Sequence, residues 1–175
     1  MSSQQAGQII ENPMRKVILE KIVLSAGAKG QDLERARMLL EYLSNKKAKK
    51  LASTKRIPTF DVRPGLEVGV QVTLRGKEAK EILKRFLSAI DNYIDKSSVA
   101  ENSFSFGIKE YIEIPGTEYK REIGIRGLNV TLVFVRKGIR VKHKKIKSGR
   151  LPHKQIVSKE EIIKYMGENF ETEFE

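Results

Sequence analysis

The sequence predicts an α+β fold in a single domain: one antiparallel sheet with helices packed on one face and a polar face with basic loops left open. Three observations carry this. Segments that alternate apolar and polar residues are interspersed with segments of helical period. The alternating segments have one apolar and one polar side, the signature of a sheet covered on one face only. The length of 175 residues, 39% of them hydrophobic, suits one sizeable core and not two.

The elements follow in order. "RKVILEKIVLSAG", residues 15–27, is rich in β-branched residues, ends at glycine and reads as a strand. "DLERARMLLEYLS" comes next, with Asp32 as N-cap and Leu33, Ala36, Leu40 and Leu43 on one apolar face. "LEVGVQVTLRG", residues 66–76, alternates: Val68, Val70, Val72 and Leu74 face one way, Gly69, Gln71, Thr73 and Arg75 the other. "KEAKEILKRFLSAIDNYI", residues 77–94, is expected to be the longest helix, with Ile82, Phe86, Ile90 and Tyr93 along its stripe. "NSFSFGIKEYIEI" places Phe104, Phe106 and Ile108 on one side, where core packing is favoured over stacking on bases. "GLNVTLVFVRKG", residues 127–138, is the most apolar strand and the expected sheet centre. A basic ribbon or loop follows. Ser158 and Glu161 then form a capping-box pattern that opens a final helix. Residues 1–11 and 170–175 are expected to be flexible, the latter as a frayed acidic tail.

Charge narrows the function. The net charge of +12 is segregated. Residues 42–60 hold six basic residues and no acid, and residues 123–159 hold eleven and no acid, so the rest of the chain carries −5. Lysine that served solubility alone would be spread evenly. The run "NKKAKKLASTKR", residues 45–56, is the densest, and a partner is expected to supply its counter-charge. Two such windows on a slightly acidic body form an electrostatic footprint for a polyanion. Neither window is an amphipathic helix with an apolar face for a membrane, and no apolar run reaches the ~18 residues of a span. The opening "MSSQQAGQIIENPMRK" lacks the pattern of a signal peptide, so a cytoplasmic protein is expected.

Enzymatic motifs are missing. The chain has no Cys, which excludes disulfides, thiolate chemistry and Cys-based zinc sites. His143 and His153 have no carboxylate near them in sequence, so neither a metal nor any other cofactor is expected. No phosphate loop or nucleophile elbow is present, and the carboxylates fall mainly at helical spacing from basic residues, which is ordinary surface pairing.

Four ordered blocks, "NPMRKVILEKIVLSAGA", "IPTFDVRPGLEVGVQVTLRG", "NSFSFGIKEY" and "EIGIRGLNVTLVF", resemble the family of universal large-subunit ribosomal protein number five, the 5S rRNA-binding family. The match runs from about Asn12 to Phe170, and the ending "IVSKEEIIKYMGENF" is similar to the archaeal and eukaryotic branch. The resemblance implies a non-enzymatic constituent of the central protuberance. It would bind 5S rRNA and large-subunit rRNA beside other 5S-binding large-subunit proteins. It would also lie near the P-site tRNA and a small-subunit head protein at the intersubunit bridge.

Carried onto this sequence, the resemblance implies 5S rRNA contacts at Ser25, Lys46, Phe60 and Thr73, close to Arg63 and Arg75. It implies tRNA contacts at Lys46, Lys47, Lys49, Lys50, Lys55 and Arg56, in the loop 45–56. Large-subunit rRNA would be met by the segment 136–155, through Arg136, Lys137, Arg140, Lys142, Lys144, Lys145, Lys147, Arg150 and Lys154. The sequence departs from the family pattern in three places. Ser25 stands where Asn is common, Lys46 where Gln is common, and "SNKKA" replaces the usual Gly-Gln-x-Pro. Phe60, which follows a Pro-Thr pair, reads equally as a core plug or a base contact, and Thr73 as a β-former or a contact. The competing functional readings are a free RNA chaperone or translation regulator using the same basic surface, and an RNA-modifying enzyme.

Overall fold

The computed structural model describes residues 12–175; the expectation for residues 1–11 lies outside them. The first strand, β1 (Val17–Gly27), leads into helix α1 (Gln31–Ser44). A short strand β2 (Lys49–Ala52) is followed by β3 (Glu67–Leu74) and helix α2 (Gly76–Ser88). After β4 (Tyr93–Ile94) and β5 (Val99–Ala100) come the longer β6 (Ser103–Ile108) and β7 (Leu128–Arg136). A one-turn helix α3 (Arg140–His143), helix α4 (Lys159–Phe170) and a final strand β8 (Glu173–Phe174) complete the described chain.

The main sheet is six-stranded in the order β2-β3-β1-β7-β6-β5. Its pairings are all antiparallel. Alternation decides its two faces. Ile22, Leu24 and Ala26 of β1, Val70, Val72 and Leu74 of β3, and Leu128, Val130, Leu132 and Phe134 of β7 are all buried. The side chains between them lie on the opposite face. Against the buried face pack Leu33, Ala36, Leu39, Leu40 and Leu43 of α1, Ala79, Leu83, Phe86 and Leu87 of α2, and Ile162 and Met166 of α4. Fully burying a side chain of this size contributes about 1.5–3 kcal/mol, so this layer anchors the fold. Phe104 stacks on Phe134 with ring centroids 6.0 Å apart, which settles Phe104 as core.

The structure corrects several expectations. Gly30, not Asp32, occupies the N-cap of α1; Asp32 lies in the first turn and pairs with Arg35 and Arg126. Helix α2 stops at Ser88 because Asp91 and Asn92 take left-handed backbone angles (φ 52° and 59°) that turn the chain into β4. Tyr93 therefore leaves the apolar stripe and is exposed, and α1, with 14 residues against 13, is the longer helix. The strand predicted to run through "IKEYIEI" ends at Ile108, and Tyr111–Glu113 form a 3-10 turn. The acidic C-terminus is docked: β8 runs parallel to β4, and Phe174 meets Phe104 edge-on at 6.4 Å. The capping box of α4 forms as expected, with the Ser158 hydroxyl accepting from the Glu161 amide.

Candidate nucleic-acid interface

The uncovered face of the sheet is polar and laid out in rungs. Cross-strand pairing sets Lys49 beside Gln71, Gln71 beside Ser25, Ser25 beside Asn129, and Asn129 beside Gly107. The next rung runs from Thr73 through Val23 and Thr131 to Ser105. Among the described residues, none of the side chains of Ser25, Gln71, Thr73, Ser105, Asn129 or Thr131 makes an internal hydrogen bond. Their donors and acceptors face solvent without a task inside the fold.

The connection between β2 and β3 is a folded arm. Ile57 and Val62 form an antiparallel bridge, and Ser53 exchanges backbone hydrogen bonds with Gly65 and Leu66. A 3-10 turn, Pro58–Phe60, makes its tip, and Asp61 closes it with φ 53°. Phe60 is 66% exposed there, so the core-plug reading is excluded. The Lys29 ammonium donates to the Phe60 carbonyl at 3.1 Å, which ties this tip to the end of β1. Arg63 lies exposed on the same arm, and Arg75 is exposed at the N-cap of α2.

The basic run 45–56 is not a plain loop. Asn45 ends α1 in the left-handed conformation and Lys49–Ala52 form the sheet's edge strand. Part of the counter-charge also comes from within. Lys46 pairs with Glu78, and the Lys50 ammonium sits 2.5 Å from Glu34 and 3.0 Å from Glu67. Hydrogen bonds to Glu34 and then Glu67 raise the pKa of Lys50, and the Lys50 bond lowers that of Glu34. Glu41 accepts the Ala48 backbone N–H at 3.0 Å, the main reason its carboxyl is held below the usual range. Alternation in β2 explains the division. Lys50 pairs opposite the inward Val70 and reaches the helix layer, whereas Lys49 pairs opposite the outward Gln71. Among the described residues Lys47, Lys49, Lys55 and Arg56 have no ion-pair partner.

The second basic segment differs. Arg136, at the end of β7, donates through Nη2 to both carboxylate oxygens of Glu161 of α4, at 2.7 and 2.8 Å, and so ties helix to sheet. Beyond it, Lys137, Arg140, Lys142, Lys144, Lys145, Lys147, Arg150 and Lys154 are exposed and form no ion pair among the described residues. The segment is closed by a bond from the Gly149 amide to the Val141 carbonyl. It folds beside the open face, where Lys142, His143 and Arg150 share a groove with Lys21, Val133 and Val135.

The described architecture has known counterparts. Residues 67–165, from β3 into α4, match the family model for the C-terminus of the ribosomal large-subunit protein five family. The chain belongs to this family. It is 41% identical over 162 residues to the large ribosomal subunit protein uL5 of Nanoarchaeum equitans, covering 91% of this chain and 96% of the relative. It is 42% identical to uL5 of Sulfurisphaera tokodaii, covering 91% and 92%. With uL5 of Methanococcus maripaludis the identity is 32% over 99% of this chain and 98% of the relative. As a member of the uL5 family it is a structural constituent of the large subunit of the cytoplasmic ribosome, of the archaeal type, and not an enzyme.

Within this chain the structure brings Ser25 and Thr73 onto one open face, with Lys49 in the same rung as Ser25. It sets Lys46, Lys50 and Arg136 apart, because each is engaged by an acid of another element. Sequence reasoning missed Asn129, Thr131 and Ser105. The signal was present as alternation in residues 128–134, hidden by the strand's high apolar content. It also missed Glu34, Glu67 and Glu78 as partners of the basic run, for which no local pattern exists.

Proposed function

We propose that the chain binds 5S rRNA through the open sheet face and the Phe60 arm, with the segment 137–154 held against large-subunit rRNA. The observation that carries this is the rung Lys49, Gln71, Ser25 and Asn129, a row of unsatisfied polar side chains across four strands of an uncovered sheet. Such a face meets unstacked bases and ribose hydroxyls. The exposed Phe60 offers a ring for stacking, and Thr73, Arg63 and Arg75 extend the surface. Lys47, Lys55 and Arg56, unpaired within the described fold, reach toward the P-site tRNA as phosphate contacts without base preference. The neighbours on this reading are other 5S-binding large-subunit proteins and a small-subunit head protein at the intersubunit bridge.

A gel shift titrated with salt tests this, using 5S rRNA, a tRNA and a length-matched scrambled RNA. A 5S preference that persists at ~200 mM salt, above the counterion-release background, is the expected result. Equal binding to all three that salt erases would instead favour the free chaperone or regulator. Changing Lys47, Lys55 and Arg56 together to Gln is expected to weaken tRNA engagement more than 5S binding. Equal losses would remove the tRNA assignment.

A further inference from the structure

The rung of polar residues ends in a notch at the far end of the sheet. Its walls include Ser25, Gly27, Gly107, Gly127, Asn129 and Lys109, and it is a shallow, open-sided depression of about 510 Å³. Two of its glycines have different causes. A Cβ on Gly127 would stand 2.6 Å from the carbonyl oxygens of both Ile108 and Lys109, so the fold itself demands glycine there. Gly107 has no such reason. It lies inside β6, and a Cβ on it would meet only the Asn129 carboxamide oxygen, at 3.3 Å.

A glycine inside a strand gives up β-propensity and side-chain packing, and where the fold does not require it, it marks close approach by something else. At position 107 the missing side chain leaves a bare strip of backbone on the open face. Asn129, its cross-strand neighbour, sets a free carboxamide over that strip, and Ser25 sets a hydroxyl on the other side of Asn129. A carboxamide presents one donor and one acceptor side by side. It matches a nucleobase edge that offers an amino group next to a ring nitrogen, as adenine and cytosine do.

We propose that this notch receives one unstacked adenine or cytosine of the bound RNA, read by Asn129 with Gly107 as the bare floor beneath the base. The inference rests on the reading that the open face binds 5S rRNA and goes beyond it by naming a base-specific pocket. It also predicts a division of labour: the lysines contribute affinity without sequence, and Asn129 contributes sequence.

Dimethyl sulfate provides the test, because it methylates N1 of unpaired adenine and N3 of unpaired cytosine, the ring nitrogens that a carboxamide on the Watson–Crick edge would cover. The full chain bound to 5S rRNA is expected to protect one such base. Asn129→Ala is expected to lose that protection and about tenfold in 5S affinity, the scale of one bidentate base contact. Gly107→Val is expected to do the same by filling the notch. It keeps ordinary strand geometry, and its near neighbour is a side chain that can swing away. Unchanged thermal transitions certify both variants as folded. Lys49→Gln, at the other end of the rung, should weaken binding and leave the protected base in place. Preferential 5S binding without any protected base, or protection that survives both variants, overturns the pocket while leaving the RNA-binding reading intact. Loss of 5S preference in the unaltered chain overturns both.

Discussion

The two basic segments have similar composition and opposite settings. Residues 46–56 begin beside an acidic helix and are built into the sheet: Glu34, Glu41, Glu67 and Glu78 bind Lys50, the Ala48 amide and Lys46. Residues 137–154 have one short helix and no ion pair among the described residues. Their neighbour Arg136 does have such a contact, and it serves to hold α4. The difference teaches that a run of lysines is not one kind of feature. In the first segment internal acids offset part of the repulsion and fix the backbone, so the remaining cations are held in a set geometry. In the second no acid among the described residues offsets the repulsion, which leaves its cations open to an anionic partner.

The largest expected effect comes from removing charge where nothing internal balances it. Changing Lys142, Lys144, Lys145 and Lys147 together to Gln should reduce the salt dependence of rRNA binding by roughly three units of slope, at about 0.7–0.9 per phosphate contact. Affinity should drop by more than tenfold at low salt, with the thermal transition unmoved. A fall in stability instead would mean that the segment is part of the fold, and the contrast would be lost.

An intermediate effect should follow from breaking the clamp at the boundary between the second segment and the helix layer. Glu161→Ala removes both the carboxylate that accepts from Arg136 Nη2 and one half of the α4 capping box. A loss of about 1–3 kcal/mol is expected in denaturant unfolding. Glu160→Ala, on the same first turn without these bonds, is the control and should be near neutral. Equal effects of the two would show that helix-dipole charge, and not the clamp, is what matters.

The smallest effect sharpens the comparison with pH alone. Glu34 and Glu41 both have carboxyls held below the ordinary range, by Lys50 and by the Ala48 amide respectively. A depressed carboxylate contributes stability that is present above its unfolded pKa and is lost as pH falls through its folded one. Acidification from about pH 5 downward, across the usual carboxylate range near 4, should therefore loosen β2 first. Amide exchange of Lys49–Ala52, corrected for its intrinsic pH dependence, is expected to gain relative to the centre of β1, while the segment 137–154 shows no such step. Lys50→Ala should give the same pattern already at neutral pH. Unchanged protection of β2 in both experiments would mean that its ladder to β3, without the acids, holds the strand.

Much of this was legible from the chain. The alternation of Val68, Val70, Val72 and Leu74 identified β3 and its buried side, and the spacing of Leu33, Ala36, Leu40 and Leu43 identified the inner face of α1. Ser158 and Glu161 announced α4 through a pattern spanning one turn. These signals are local, because hydrophobic period and end caps depend on residues a few positions apart. The errors were also systematic. The end of α2 depended on two left-handed residues whose sequence, Asp91-Asn92, also fits a helix, and Tyr93 kept the period running past the true end. The tail looked frayed because its pairing partner, β4, lies about eighty residues away in sequence.

The sequence by itself determined the fold class, the faces of the long strands and helices, the presence of two basic windows and the resemblance to a ribosomal family. The first three follow from composition and from interactions between near neighbours in the chain, and the resemblance from four ordered blocks of sequence. Only the tertiary structure decided which lysines are already neutralised, that Phe60 faces solvent, and that Ser25, Gln71, Lys49 and Asn129 share one rung ending at a bare glycine. The reason is that charge pairing and cross-strand register join residues far apart in sequence. A one-residue slip in register would turn each of those side chains to the other face.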